Sequence, residues 1–172
     1  LIGAASFRVV VRDHYALHGR SFPWRSDTSP WMVYLSEVML QQTQTSRVAA
    51  LLPPFMEQFP SPRAMAESSP GAVIAAWQGL GYNSRALRLH QSAIIMVRDF
   101  EGMVPADHEA LLSLPGIGPN TAASIQVYAW NIPRVFVETN IRTVYIHHFF
   151  PQAVQGSAGP VADRDLLPLV ES

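Results

Sequence analysis

The chain has 172 residues, 48% of them apolar and 15% charged, with a formal net charge of −1 and neither Cys nor Lys. That length suits one domain or two small lobes, and the balance buries a real core, which excludes a mainly disordered chain. No apolar run reaches the roughly 18–20 residues needed to cross a bilayer, and the opening Leu-Ile-Gly-Ala-Ala-Ser lacks a basic n-region, so the expectation is a soluble intracellular protein.

Apolar positions recur at three and four rather than two, which predicts an all-α chain without strands. A first helix is expected over residues 4–18, ending at Gly19, then a polar loop over 21–29. Ser29-Pro30 places a capping residue before a proline at the first helical position and opens a helix to about Gln42. A helix over 45–58 carries Pro53-Pro54, which is expected to kink or break it. Short helices follow at 62–67 and 70–77, the second again opened by Ser-Pro. Residues 83–100 form the clearest long helix, with Ala86, Leu89, Ala93 and Val97 on one stripe and Gly102 just past its end. Asp107 caps a short helix through Leu112, a glycine turn leads to a helix over 119–130, and helices over 139–149 and from about 163 complete the series. The chain stops at Leu169-Val-Glu-Ser172 inside a helical pattern with no capping signal, as a chain trimmed at its ends would.

Charge is unevenly spread. Residues 1–100 hold nine Arg against six acids, and residues 101–172 hold three Arg against seven, so any basic face comes mainly from the first part. The absence of Lys removes every side-chain amine that could form a Schiff base. The absence of Cys removes disulfides, thiolate metal sites and iron–sulfur ligands. Of the six His, only His147 and His148 are adjacent in sequence, and neighbours on a helix point to different sides, so no metal site is expected.

Four segments carry residues suited to chemistry. Leu114-Pro-Gly-Ile-Gly-Pro-Asn-Thr121 reads as helix, tight turn, helix: Gly116 and Gly118 let the backbone approach another molecule, with Ile117 between them. The N–H groups of the following helix start, near Asn120 and Thr121, suit a phosphate without any basic side chain. The same pattern also serves as an ordinary connector. Tyr34-Leu-Ser-Glu37-Val-Met-Leu40-Gln41-Gln42-Thr43-Gln44 places one carboxylate in an apolar helix that ends in amides and a hydroxyl. Apolar surroundings favour the protonated acid, which makes Glu37 a candidate general acid, and the amides suit base edges. A structural Glu paired with Arg beside a solvated Gln patch is the alternative. Val135-Phe-Val-Glu138-Thr-Asn140-Ile-Arg142 puts Glu138 at a helix start, where the dipole favours the anion, although such acids are common without any chemistry. Gly79-Leu-Gly-Tyr82-Asn-Ser-Arg85-Ala-Leu-Arg88 offers an aromatic wedge beside two Arg, or a core Tyr with two solvated Arg.

Together and in this order, the pieces Phe22-Pro-Trp-Arg25, Ser36-Glu-Val-Met-Leu-Gln-Gln-Thr-Gln44, Gly79-Leu-Gly-Tyr82 and Leu114-Pro-Gly-Ile-Gly-Pro119 resemble the helix-hairpin-helix DNA glycosylases, closest to the MutY-type adenine glycosylases. The likeness runs from about Phe22 to Val144. It implies an all-α fold of two lobes, residues 22–134 forming a six-helix barrel with the hairpin and residues 1–21 and 135–172 forming the second lobe, with a cleft between them for a flipped base. By motif, Glu37 falls on the family's catalytic acid, and Trp24, Arg25 and Leu40 fall on the base pocket. Gln42, Thr43, Leu80 and Tyr82 fall on positions that enter the duplex or contact the opposite base. Asn140 matches an Asn that orders the catalytic groups. Gln41, Arg47, Arg85 and Arg88 join the hairpin residues as expected DNA contacts.

Three departures from the family stand out. Its catalytic Asp is replaced by Glu138, one methylene longer, which keeps the charge for an oxocarbenium-like transition state but shifts its position. Asn120 stands where bifunctional relatives carry the Schiff-base Lys, so no Lys-based lyase step is expected. The four-Cys iron–sulfur loop and the domain that reads 8-oxoguanine are not found, so no cofactor is expected beyond a monovalent cation compatible with the hairpin. The resemblance implies a monomeric, monofunctional glycosylase in the bacterial cytoplasm, associated with the nucleoid, that acts on mispaired or damaged double-stranded DNA, with adenine the leading base. A thymine or uracil mismatch glycosylase, a lesion-binding module that does not cut, and a protein scaffold are the competing expectations.

Overall fold

The structure, a computed structural model, describes residues 3–154 and 159–171. The reading of the chain's two extreme ends concerns Leu1, Ile2 and Ser172, which lie outside the described residues. Among the described residues the chain is all helix, in the order α1 (Ala4–His18), α2 (Pro23–Ser26), α3 (Pro30–Leu40), α4 (Thr45–Gln58), α5 (Pro62–Ala66), α6 (Pro70–Ala76), α7 (Ser84–Asp99), α8 (His108–Leu112), α9 (Pro119–Trp130), α10 (Thr139–Phe149), α11 (Pro151–Val154) and α12 (Asp163–Glu171). None of these helices is long and apolar enough to cross a membrane. The chain divides into two compact units, Ser21–Arg134 and the pair of segments Leu1–Arg20 and Val135–Ser172.

In the unit Ser21–Arg134, α3 is the central element. Trp31, Met32, Val33, Tyr34, Leu35, Ser36, Val38 and Met39 are all buried, so the helix is covered on nearly every side, as a helix apolar all round must be. It packs against α2, α4 and α9, while α7 packs against α5 and α6, and α8 against α9. Helix starts follow local chemistry. The side chains of Ser61, Ser69 and Asp107 accept from the N–H groups of Ala64, Ala72 and Ala110, in each case three residues on, satisfying donors that the helix itself leaves open. At the far end of α7, Gly102 takes φ +79° and its N–H donates to Met96 O at 2.8 Å, closing the helix with the glycine expected there.

Two local expectations need correction. Pro53-Pro54 does not end α4, which runs continuously through Gln58. Val48, Leu52 and Phe55 hold its inner face in the core, while both prolines are exposed, so the carbonyls they leave without a donor are on the side nearest water. The loop over 21–29 contains the single helical turn of α2, started by Pro23 at its first position and closed by the Asp27 N–H on Pro23 O at 3.0 Å.

In the other unit, Phe7 of α1 packs its ring edge-on against Tyr145 and Phe149 of α10, with centroids 5.1 and 5.0 Å apart. α10 packs against α11 and α12, and the Arg142 guanidinium ties α10 to the start of α12 through Asp163 and the Val161 carbonyl.

Candidate active site

Glu37 is half-buried in the otherwise buried stretch Trp31–Met39 of α3. Its Oε2 accepts from the hydroxyl of Ser124 on α9 at 2.6 Å, a short bond of the length expected when a hydroxyl meets a carboxylate. Ser124 is 1% exposed and its Oγ also lies 3.0 Å from Thr121 O, one turn back on the same helix. Asn120, exposed in the first turn of α9, is four residues before Ser124 and so on the same helix face. Ser124 escapes the sequence reading. A lone hydroxyl among Ala122, Ala123 and Ile125 was a signal, but only the packing of α3 on α9 gives it meaning.

The glycine turn sits beside this pair. Gly118 caps α9 with Pro119 at its first position, and Gly116 takes φ +85°. A Cβ on Gly116 would lie 3.2 Å from Arg88 Cδ, so the Arg88 stem runs against the turn while the residue itself is exposed. Gln41 braces the same turn, its amide donating to Gly116 O at 3.3 Å and reaching Thr121 Oγ1 at 3.4 Å. Ile117 is 7% exposed and belongs to the core, so its side chain anchors the turn and any contact with a duplex falls to the backbone. Gly116→Ala is expected to lower stability by about 1–2 kcal/mol, because the left-handed conformation and the contact with Arg88 both oppose a side chain. A thermal or urea melt of the variant measures it.

A second cluster forms where α3 ends. Arg85 is corrected from a surface cation to a buried one, 7% exposed. One end of its guanidinium donates to Val38 O and Met39 O at 3.2 and 3.1 Å, together with Gln41 O. The other end donates to Leu80 O, Gly81 O and Thr43 Oγ1. The carbonyls at a helix C-terminus lack intrahelical donors and carry negative partial charge, which is why the cation turns inward here. Burial draws the Arg85 pKa below its ordinary value, with Tyr82 acting in the opposite direction.

The loops that Arg85 joins are strained at their tips. Gln42 has φ +57° and Tyr82 has φ +49°, both left-handed without being glycine, and both are exposed. Thr43, half-buried, reaches Leu80 O at 3.2 Å, and Arg47 donates to Gly79 O at 3.1 Å. Leu80, matched by motif to a position that enters the duplex or contacts the opposite base, is 3% exposed and packs in the core, and the large side chain that this loop exposes is Tyr82.

At the start of the unit, Phe22 and Trp24 stack with centroids 4.7 Å apart and planes 5° from parallel, and the exposed Arg25 lies over Phe22 at 5.3 Å. Trp24 and Leu40 are half-buried against the core. Glu138 and Asn140 belong to the other unit. Glu138 is the exposed capping residue of α10, its carbonyl accepting from the Arg142 N–H at 2.8 Å, and Asn140 is exposed in the first turn. Among the described residues no group of three or more His, Asp or Glu is arranged to hold a metal. The 172 residues supply no thiolate to ligate an iron–sulfur cluster.

A family model described as HhH-GPD superfamily base excision DNA repair protein matches residues 35–158, and the chain belongs to that superfamily. It is 39% identical over 158 residues to adenine DNA glycosylase of Mycobacterium tuberculosis, covering 91% of this chain and 52% of that protein. It is 40% identical over 149 residues to adenine DNA glycosylase of Mycolicibacterium smegmatis, covering 86% and 49%. The chain thus spans about half the length of these curated relatives. The solved structure of a thermostable thymine-DNA glycosylase shares the fold, with a TM-score of 0.85 at 23% identity over 98% of this chain and 76% of that one.

Proposed function

We propose that this chain is the catalytic portion of a monofunctional DNA glycosylase that flips a mispaired adenine out of duplex DNA and hydrolyses its N-glycosidic bond. The observation that carries the reading is Glu37, an acid on a helix otherwise buried in the core and held by a buried hydroxyl at 2.6 Å, in a chain similar to adenine glycosylases. In this reading the carboxyl gives a proton to the leaving purine and then activates water. Glu138 supplies the negative charge that stabilises the positive sugar, and Asn140 orders the catalytic groups. Trp24, Arg25 and Leu40 receive the base. Gln42 and Tyr82 enter the duplex, while the Gly116–Gly118 turn and the start of α9 take a phosphate. With every basic residue an Arg, the chain has no Lys for a Schiff base, and the reaction ends at an abasic site.

The test is a panel of labelled duplexes carrying adenine opposite 8-oxoguanine, adenine opposite guanine, thymine or uracil opposite guanine, and hypoxanthine. Strand breaks that appear only after alkali, with adenine preferred, are the expected result. Breaks without alkali overturn the monofunctional reading, and removal of thymine or uracil instead of adenine overturns the choice of base. Lesion-selective binding that falls with salt, with no breaks on any duplex, would make the chain a recognition module.

A further inference from the structure

We propose that Ser124 is a positioning residue for Glu37 whose hydroxyl follows the protonation state of the carboxyl. The inference rests on the reading of Glu37 as the proton donor and adds to it the group that keeps that donor usable in both of its states. Ser124 Oγ lies 2.6 Å from Glu37 Oε2 and 3.0 Å from Thr121 O, and a serine hydroxyl has one proton to give. When Glu37 is charged, it accepts that proton's hydrogen bond. When Glu37 carries a proton, the carboxyl donates to Ser124 Oγ, and the serine O–H turns to the Thr121 carbonyl, a back-bond that serines in helices commonly make. Both arrangements use the same Oγ position, so the acid keeps its place beside α9 as it gains and loses its proton. The charge-assisted form is the stronger of the two, so the serine bond favours the ionised carboxylate.

The elements packed against α3 carry few titratable side chains. α9 brings no acid and no cation, its one titratable side chain being the exposed Tyr128. α2 brings the exposed Arg25, and α4 brings Arg47 and Glu57, also exposed. On α3 itself Tyr34 is buried, which pushes its pKa up and keeps it neutral. Arg85 of α7 directs its guanidinium to the carbonyls at the end of α3 and to the 80–81 turn.

The test follows Glu37 directly. Protein labelled with carboxyl-13C glutamate is titrated by NMR, the Glu37 resonance being the one absent from Glu37→Gln. Ser124→Ala, which keeps a small residue in the helix, is expected to raise the Glu37 midpoint by about half to one pH unit, and Ser124→Thr to restore it. The basic limb of excision on a duplex with adenine opposite 8-oxoguanine moves by the same amount in the same direction. An unchanged midpoint in folded Ser124→Ala, or one that Ser124→Thr fails to restore, overturns the role of Ser124 whatever the excision result. A shifted midpoint supports the bond, but with full excision by Glu37→Gln it overturns the reading of Glu37 as the proton donor.

Discussion

Glu37→Gln is expected to slow excision by about a thousandfold or more while leaving the fold and duplex binding nearly unchanged. General acid catalysis by a positioned side chain contributes about 10²–10⁴ in rate, and an amide of the same size has no proton to offer at usable acidity. The substitution removes little else. The Gln oxygen still accepts from Ser124 Oγ, so the internal hydrogen bond at 2.6 Å survives in neutral form. An interaction needed only in the transition state shows itself as lost turnover with unchanged affinity. Single-turnover excision and gel-shift binding, measured on one duplex, separate the two quantities. Turnover equal to that of the parent chain would remove Glu37 from the chemistry, and loss of binding in parallel would mark it as a structural acid.

Arg85→Met is expected to have the largest effect on stability, a loss of about 3–5 kcal/mol with a fall in Tm of about 10 °C. The thioether fills much of the space but donates nothing. The carbonyls of Val38, Met39, Gln41, Leu80 and Gly81 then lose the donor they share, several of them in a buried setting. Arg85→Lys is not expected to recover more than part of the loss, since a point charge on a flexible stem cannot serve two separate loops as the planar fork does. Urea or thermal unfolding of both variants measures this, and a loss below about 1 kcal/mol for Arg85→Met would mean that water replaces the guanidinium at little cost.

How far the sequence reaches depends on how local each determinant is. The all-α fold and most helix starts are legible because Ser69, Asp107 and Pro119 act on their own next turn. Short helices such as α2 and α11 are harder to see, since one turn has no periodicity and only a leading proline marks it. Glu37 is legible as a single acid among apolar residues. Its partner Ser124 is not, because it is 87 residues away and gains its role from the packing of α3 on α9. Arg85 misleads for the same reason. A cation at a helix start is normally solvated, and what draws this one inward is the end of a helix more than 40 residues earlier in the chain.

The left-handed tips at Gln42 and Tyr82 bear on how stability and recognition trade against each other. Each such non-glycine residue raises the free energy of the folded chain by about 1 kcal/mol or more, and the bonds of Arg85 to both loops offset that within the free protein. The tips are therefore shaped during folding, before any partner arrives, and less ordering entropy is left to be lost on association. A glycine at either tip would relax the backbone but let the loop wander. If Gln42 and Tyr82 enter a duplex as proposed, natural variation that hardened this chain against heat at those two positions would work against that contact, and consensus-style stabilisation belongs elsewhere in the molecule.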